Sequence, residues 1–133
     1  MRDGRRTTTR FGHYYPINAR SEARIISRDR ALLPVQLVRV VGPSMVPTLR
    51  DGDTVIVWHR ARVRPGDVVL ANFRNLPGRL VLKRAVRAVD GGWWLASDNA
   101  GAGGDSNAHG VADVHARVWL RVTGGLPRRI RRG

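Results

Sequence analysis

One serine and one lysine stand out in this chain as residues that could do chemistry together. Ser44 lies in the run Gly-Pro-Ser-Met-Val-Pro-Thr-Leu of residues 42–49, between a proline and a methionine. Lys83 is the only lysine among the 24 Lys and Arg residues. An arginine keeps its charge in proteins, whereas a buried lysine can lose its proton and act as a base. We therefore predict Ser44 as a nucleophile and Lys83 as its general base.

The local sequence around each residue fits this pairing. A serine hydroxyl is a weak nucleophile at neutral pH and needs a base within hydrogen-bond reach. Gly42 and Pro43 turn the chain just before Ser44, which should expose its side chain and its amide. We predict that the Ser44 amide donates to an oxyanion hole, a contact often worth roughly 3 kcal/mol. Apolar residues flank Lys83 on a predicted strand and should desolvate its amine.

Alternating and β-branched residues predict the strands that must position these side chains. Turn signals rich in Gly, Pro and Asp separate the strands, at intervals typical of a small all-β barrel or sandwich. The first strand begins at Val35, and the others cover residues 54–58, 68–73, 79–89, 93–96 and 114–122. A polar, glycine-rich loop at residues 97–110 is long enough to be functional.

The ends of the chain differ in composition from its middle. Residues 1–30 hold eight arginines and little apolar periodicity, which predicts a flexible basic lead. A short helix is also expected over residues 21–33, with Ser21 as its N-cap. Residues 31–123 are predicted to form the β-domain, and residues 124–133 a basic tail.

The composition excludes several function classes. The chain has no cysteine, which rules out disulfides, thiolate catalysis and Cys-ligated zinc. It has neither the roughly 20 apolar residues that span a bilayer nor the apolar core of a signal peptide. We therefore expect a soluble, cytoplasmic protein. We expect no cofactor and no metal, because His109 with Asp105 or His115 offers too few ligands.

The formal net charge of +14 leaves several partners open. Nucleic acid, an anionic membrane surface and an acidic protein all fit such a charge. No nucleic-acid motif is present, so nucleic acid is disfavoured, while peripheral membrane contact and a non-enzymatic basic binding module stay open. A Ser-His-Asp triad is disfavoured because the chain has no Gly-x-Ser-x-Gly elbow. The histidines available for it are His13, His59, His109 and His115.

Five short motifs resemble, in order, the sequence boxes of type I signal peptidases. They lie at residues 42–49, 52–57, 66–69, 82–86 and 97–110. The first matches the serine pattern Ser-Met-x-Pro-Thr-Leu, and the fourth carries the family's lysine base at Lys83. The last is in register with the pattern Gly-Asp-Asn-x-x-x-Ser-x-Asp-Ser-Arg. Any one box would be a weak match, but five in order are specific.

The resemblance implies a fold and a mechanism. The fold would be an all-β, mainly β, barrel with coiled sheets, as in signal peptidases and self-cleaving SOS repressors. The activity would be that of a serine endopeptidase, with Ser44 as nucleophile and oxyanion-hole donor and Lys83 as general base.

The small size and the missing membrane anchor point to a subgroup of this family. The chain looks most like the maturation proteases of nickel-type superoxide dismutase. By that resemblance its protein partner would be the nickel superoxide dismutase precursor, from which it would cleave an N-terminal propeptide. An enzyme that cleaves exported preproteins at the membrane is the alternative.

Three positions depart from the pattern of the last box. Its first Gly is Ser97, and its final Arg is Asn107. The serine that helps to orient the lysine in signal peptidases falls at Gly103. Lys83 should therefore be oriented by another group or by packing alone. Two aspartates are predicted to hold the structure of this loop, namely Asp98 and Asp105.

Overall fold

A computed structural model describes residues 21–26, 34–59, 61–123 and 127–132. These residues form eight strands, which pair antiparallel throughout. The strands are β1 (Ala23–Ile25), β2 (Val35–Val40), β3 (Thr54–Trp58), β4 (Val68–Phe73), β5 (Val81–Val89), β6 (Gly92–Ala96), β7 (Ala112–Arg121) and β8 (Arg128–Arg129). A 3-10 turn (Ala100–Ala102) and a single helical turn, α1 (Ser106–His109), lie between β6 and β7. The expectation of an all-β fold is confirmed.

Strand β7 joins the two parts of the sheet. The strand order is β1-β2-β3-β7-β4-β5-β6, and β8 also pairs with β7. Because Trp93 of β6 pairs with Ala112 of β7, strands β4, β5, β6 and β7 close into a ring. Strands β1, β2 and β3 extend from this ring as an arm. The predicted barrel is thus partly closed, with β2 leading to Ser44 in the arm and Lys83 on β5 in the ring.

Two apolar clusters form the core, and β4 contributes to both. Val68 and Leu70 belong to a cluster shared by the arm, the ring and the turn after β2. Val69 and Phe73 belong to the second cluster, whose buried members all come from ring strands. Every residue of β4 is buried, which explains why all of them except Asn72 are apolar and do not alternate with polar residues.

The boundaries of the predicted strands agree closely with the structure. Strands β3 and β4 have the predicted bounds, and β2 begins at Val35 as expected. The bounds of β5, β6 and β7 differ from the predictions by no more than about two residues, as is usual for strand ends.

The predicted helix over residues 21–33 is wrong where the structure describes it, because β1 lies there. Strand β1 pairs with β2, with Ala23 opposite Val40. Ala23 is buried, Arg24 is exposed and Ile25 packs against the first cluster, which is the period of two expected of a strand. Pairing with β2 therefore overrides the local signal for a helix that begins at Ser21. The remainder of the predicted helix is largely outside the described residues.

The ends of the chain are described only in part. Of the predicted flexible lead, residues 21–26 are described, and of the predicted basic tail, residues 127–132. Arg129 of β8 pairs with Leu120 of β7, so part of the tail belongs to the sheet. In the described part of the chain, no helix has the length and apolar character needed to cross a bilayer.

Candidate active site

Ser44 lies in the turn after β2, and backbone contacts hold this turn in place. Gly42 has a φ of 88°, and its amide donates to Asp51 Oδ1 at 2.8 Å. The backbone amide of Asn99 donates to Ser44 O at 2.9 Å, and its side chain donates to Pro43 O at 3.1 Å. The position of Ser44, which is 5% exposed, is thus fixed by the turn and by the loop after β6.

Lys83 lies on β5, opposite Val69 of β4, and is fully buried. Its Nζ donates to Ser97 Oγ at 2.9 Å, and Ser97 Oγ in turn donates to Gly103 O at 3.0 Å. Ser97 therefore supplies the orienting hydroxyl that the sequence left unassigned. The hydroxyl thus comes from residue 97 rather than from residue 103, whose backbone carbonyl accepts its hydrogen bond.

One carboxylate oxygen joins the predicted nucleophile to the predicted base. Glu22 Oε1 accepts a hydrogen bond from Ser44 Oγ at 3.0 Å and forms an ion pair with Lys83 Nζ at 2.9 Å. The second oxygen, Oε2, lies 3.4 Å from Arg79 Nη2. The structure thus brings Ser44 and Lys83 to the same atom, although they lie on the arm and on the ring.

Sequence reasoning missed Glu22, although the sequence carried a signal for it. Glu22 belongs to none of the five motifs and falls in the segment predicted as a helix. It is, however, the only glutamate in the chain, as Lys83 is the only lysine. A buried charge needs a partner of opposite sign, so a lysine predicted to be buried called for a search of the few acidic residues.

The next residue on β5, Arg84, bonds residues of four separate segments. Its Nε and Nη2 bind the two carboxylate oxygens of Asp98 at 3.1 and 2.5 Å. Asp98 also accepts a hydrogen bond from Thr48 Oγ1. Arg84 Nη1 donates to the backbone carbonyls of Gly66 and Arg131 at 2.9 and 2.6 Å. Asp98 therefore holds the loop against the turn that contains Ser44, which is the structural role expected of it.

The other aspartate of the loop, Asp105, caps helix α1. Its side chain accepts a hydrogen bond from the Asn107 amide at 3.0 Å. The hydroxyl of Ser106 accepts from the Leu95 amide of β6 at 2.7 Å, which fastens α1 to the ring. Asp105 also has the structural role that the sequence predicted.

The backbone amide of Ser44 donates to no other described residue. A free amide beside the side chain of a nucleophile is a donor available to a developing oxyanion. The assignment of this amide to an oxyanion hole stays a prediction.

Two of the histidines considered for a triad lie against amide side chains outside this site. His59 Nε2 bonds Gln36 Oε1 at 2.5 Å, and His115 Nε2 bonds Asn72 Oδ1 at 2.6 Å. His13 lies outside the described residues. This arrangement gives no support to a Ser-His-Asp triad. Among the described residues, no group of three or more His, Asp or Glu side chains could hold a metal ion.

A family model matches this chain over most of its length. The model is described as Peptidase S24-like and covers residues 10–122, a range that includes Glu22, Ser44, Lys83 and Ser97. A search of curated proteins returns no match. The family match supports a serine peptidase-type function and agrees with the mainly β fold. The chain belongs to the Peptidase S24-like family.

Proposed function

We propose that this protein is a serine endopeptidase with Ser44 as its nucleophile and Lys83 as its general base. The observation that carries the proposal is the shared carboxylate oxygen, which Ser44 Oγ and Lys83 Nζ both bond within 3.0 Å. A serine nucleophile needs a base that can reach its proton, and these two groups converge on one point. Membership of the S24-like family supports peptide-bond hydrolysis as the reaction.

In the proposed reaction, neutral Lys83 accepts the Ser44 Oγ proton as that oxygen attacks the scissile carbonyl carbon. The carbonyl oxygen becomes an oxyanion, which the Ser44 amide stabilises. Lys83 then gives the proton to the leaving amine, the C–N bond breaks, and an ester remains on Ser44. Lys83 next takes a proton from water, whose oxygen attacks the ester. It returns that proton to Ser44 Oγ as the carboxylic acid product leaves.

Ser97 acts in this scheme as a positioning residue. It accepts a hydrogen bond from Lys83 Nζ and is itself fixed by its bond to Gly103 O. This arrangement limits the directions in which the amine can point. Burial of the whole lysine side chain restricts it further.

The substrate we propose is a precursor protein from which an N-terminal propeptide is removed. The nickel superoxide dismutase precursor is the first candidate, because the small, arginine-rich and cysteine-free chain resembles the proteases that mature this enzyme. Nickel would then bind to the processed substrate.

The test is to incubate the protein with the nickel superoxide dismutase precursor and to read new N-termini by mass spectrometry. Ser44→Ala and Lys83→Met should each slow cleavage by about 10³-fold or more, because each removes one partner of the proton transfer. Thermal unfolding of both variants checks that the fold is retained.

Two matched variants control for nonspecific damage. Ser106→Ala removes another buried serine hydroxyl, and Arg87→Met removes an exposed cation from the strand that carries Lys83. Ser106→Ala should be less stable, because the Leu95 amide loses its acceptor, but both variants should cleave at close to the wild-type rate while they are folded. Cleavage by Ser44→Ala would refute the nucleophile. Cleavage of other precursors but not of this one would refute the proposed substrate and leave the proposed peptidase activity in place.

A further inference from the structure

Residues 21–26 lie across the candidate active site and are bonded to both sides of it. On the arm side, the Val41 amide donates to Glu22 O at 2.9 Å. On the ring side, the Glu22 amide donates to Leu80 O at 2.6 Å. The segment therefore bridges the end of β2, which leads to the serine, and the start of β5, which carries the lysine.

The side chain of Glu22 bonds both reactive groups, the Ser44 hydroxyl and the Lys83 amine. The Ser44 hydroxyl donates its hydrogen bond to the carboxylate oxygen Glu22 Oε1, which is a far weaker base than a neutral lysine amine. In the ion pair, Lys83 is an ammonium, which has no lone pair with which to accept a proton. Glu22 therefore holds the nucleophile and the base in forms that cannot begin the proposed reaction.

The segment is short and lies at the edge of the sheet. Strand β1 has three residues and lies at one end of the strand order. Arg24 is exposed on it, and Ile26 just beyond it is 42% exposed. Short edge segments open at a small fraction of the free energy of global unfolding. An extended peptide can add to the same edge of β2 through main-chain hydrogen bonds.

We propose that residues 21–26 form an autoinhibitory strand, that Glu22 is its blocking residue, and that a precursor must displace the strand to reach Ser44. This inference rests on the proposed Ser44–Lys83 function. Displacement removes the carboxylate from both reactive groups and frees the edge of β2 for the substrate. Arg79 stabilises the blocked state through its contact with Glu22 Oε2.

The first test measures how fast a small fluorophosphonate labels Ser44 in the full chain. Glu22→Gln keeps the size of the side chain and removes its charge, so labelling should become about tenfold faster than in the wild type. Arg24→Gln, an exposed change on the same strand, should label at the wild-type rate. Ser44→Ala, which should not be labelled, identifies the site.

The possible outcomes separate this inference from the proposed function. Equal labelling of the wild type and Glu22→Gln would overturn autoinhibition and leave the nucleophile in place. Slower labelling of a folded Glu22→Gln would also overturn it, because Glu22 would then assist the reaction. If Ser44 were labelled in no folded variant, the proposed function and this inference would both fail.

A second test does not depend on a change at Glu22. Hydrogen exchange of Ser44→Ala is measured with and without a saturating peptide that spans the cleavage site of the precursor. The amides of Glu22 and Ile26 are hydrogen-bonded in the structure, so they should lose protection as the peptide displaces the segment. Unchanged or increased protection of residues 22–26 would overturn the inference.

Discussion

Two neighbouring cations on β5 have the same charge and different surroundings. Lys83 is fully buried, and its amine bonds one carboxylate oxygen and one hydroxyl. Arg84 is 12% exposed, and its guanidinium bonds a carboxylate, a hydroxyl and two backbone carbonyls. An arginine suits a site that needs many donors and no proton exchange, and a lysine suits the reverse. We therefore propose a chemical role for Lys83, whereas Arg84 fastens the loop.

The largest effect should come from replacing the lysine by the other cation. Lys83→Arg should reduce cleavage of the precursor by about 10³-fold or more, because a guanidinium keeps its proton and cannot act as a base. The precursor cleavage assay measures this. Activity close to that of the wild type would break the comparison, since it would show that this position needs only a positive charge.

A double variant separates chemistry from stability at the same position. Lys83→Met alone leaves Glu22 without its main partner, which destabilises a protein when the charge is buried. Lys83→Met combined with Glu22→Gln removes both charges and should be folded but inactive. Recovery of cleavage in the double variant would argue against Lys83 as the base.

The next effect should be on stability rather than on chemistry. Arg84→Ala should lower the free energy of unfolding by about 3 kcal/mol, because it leaves the largely buried Asp98 without its cation. Urea denaturation measures the change. At urea concentrations below its unfolding transition, Arg84→Ala should keep a higher rate of cleavage than Lys83→Arg. If Arg84→Ala abolished cleavage and left stability unchanged, the two roles would have been assigned wrongly.

A smaller effect should sharpen the account of how the lysine is oriented. Ser97→Ala should reduce kcat about tenfold and leave KM unchanged, because a single hydrogen bond to the amine is lost. Ser97→Thr restores a hydroxyl at this position and should recover most of kcat. If Ser97 had only a structural role, the activities of both variants would instead rise and fall with their unfolding temperatures.

The smallest effect should come from an exposed arginine, which sets the baseline for both cations. Arg74 and Asp113 form an ion pair whose side chains are 41% and 51% exposed. Arg74→Ala should lower the free energy of unfolding by less than about 1 kcal/mol and leave cleavage unchanged. A larger loss would show that exposed arginines also contribute to the fold.

The strands were predictable where local sequence and tertiary contacts agree. Strand β3 is a β-branched run between turns, and β4 is a short apolar run after a Pro-Gly-Asp turn, so their bounds were clear. Strand β1 was mistaken for a helix because Ser21, just before it, is also a suitable N-cap residue. What decides its structure is the edge of β2, which no local pattern contains.

The residues of the candidate site that lie in short sequence motifs could be predicted. The motifs singled out Ser44 and Lys83, and the structure brings both to one carboxylate. Glu22 was missed because it lies far from both in the chain and in no motif. The contact between Ser97 and Lys83 was missed because it depends on the register of β5 with β6, in which Arg84 lies opposite Ala96.

The position of β7 in the chain has a consequence for how the protein is made. In the strand order, β7 alone connects the arm with the ring, and Val57 of β3 pairs there with Val118. A ribosome must therefore complete residues 112–121 before the sheet can join the two parts. Pairing of such distant segments is also slow. A nascent chain thus carries the serine and the lysine well before the sheet that aligns them exists.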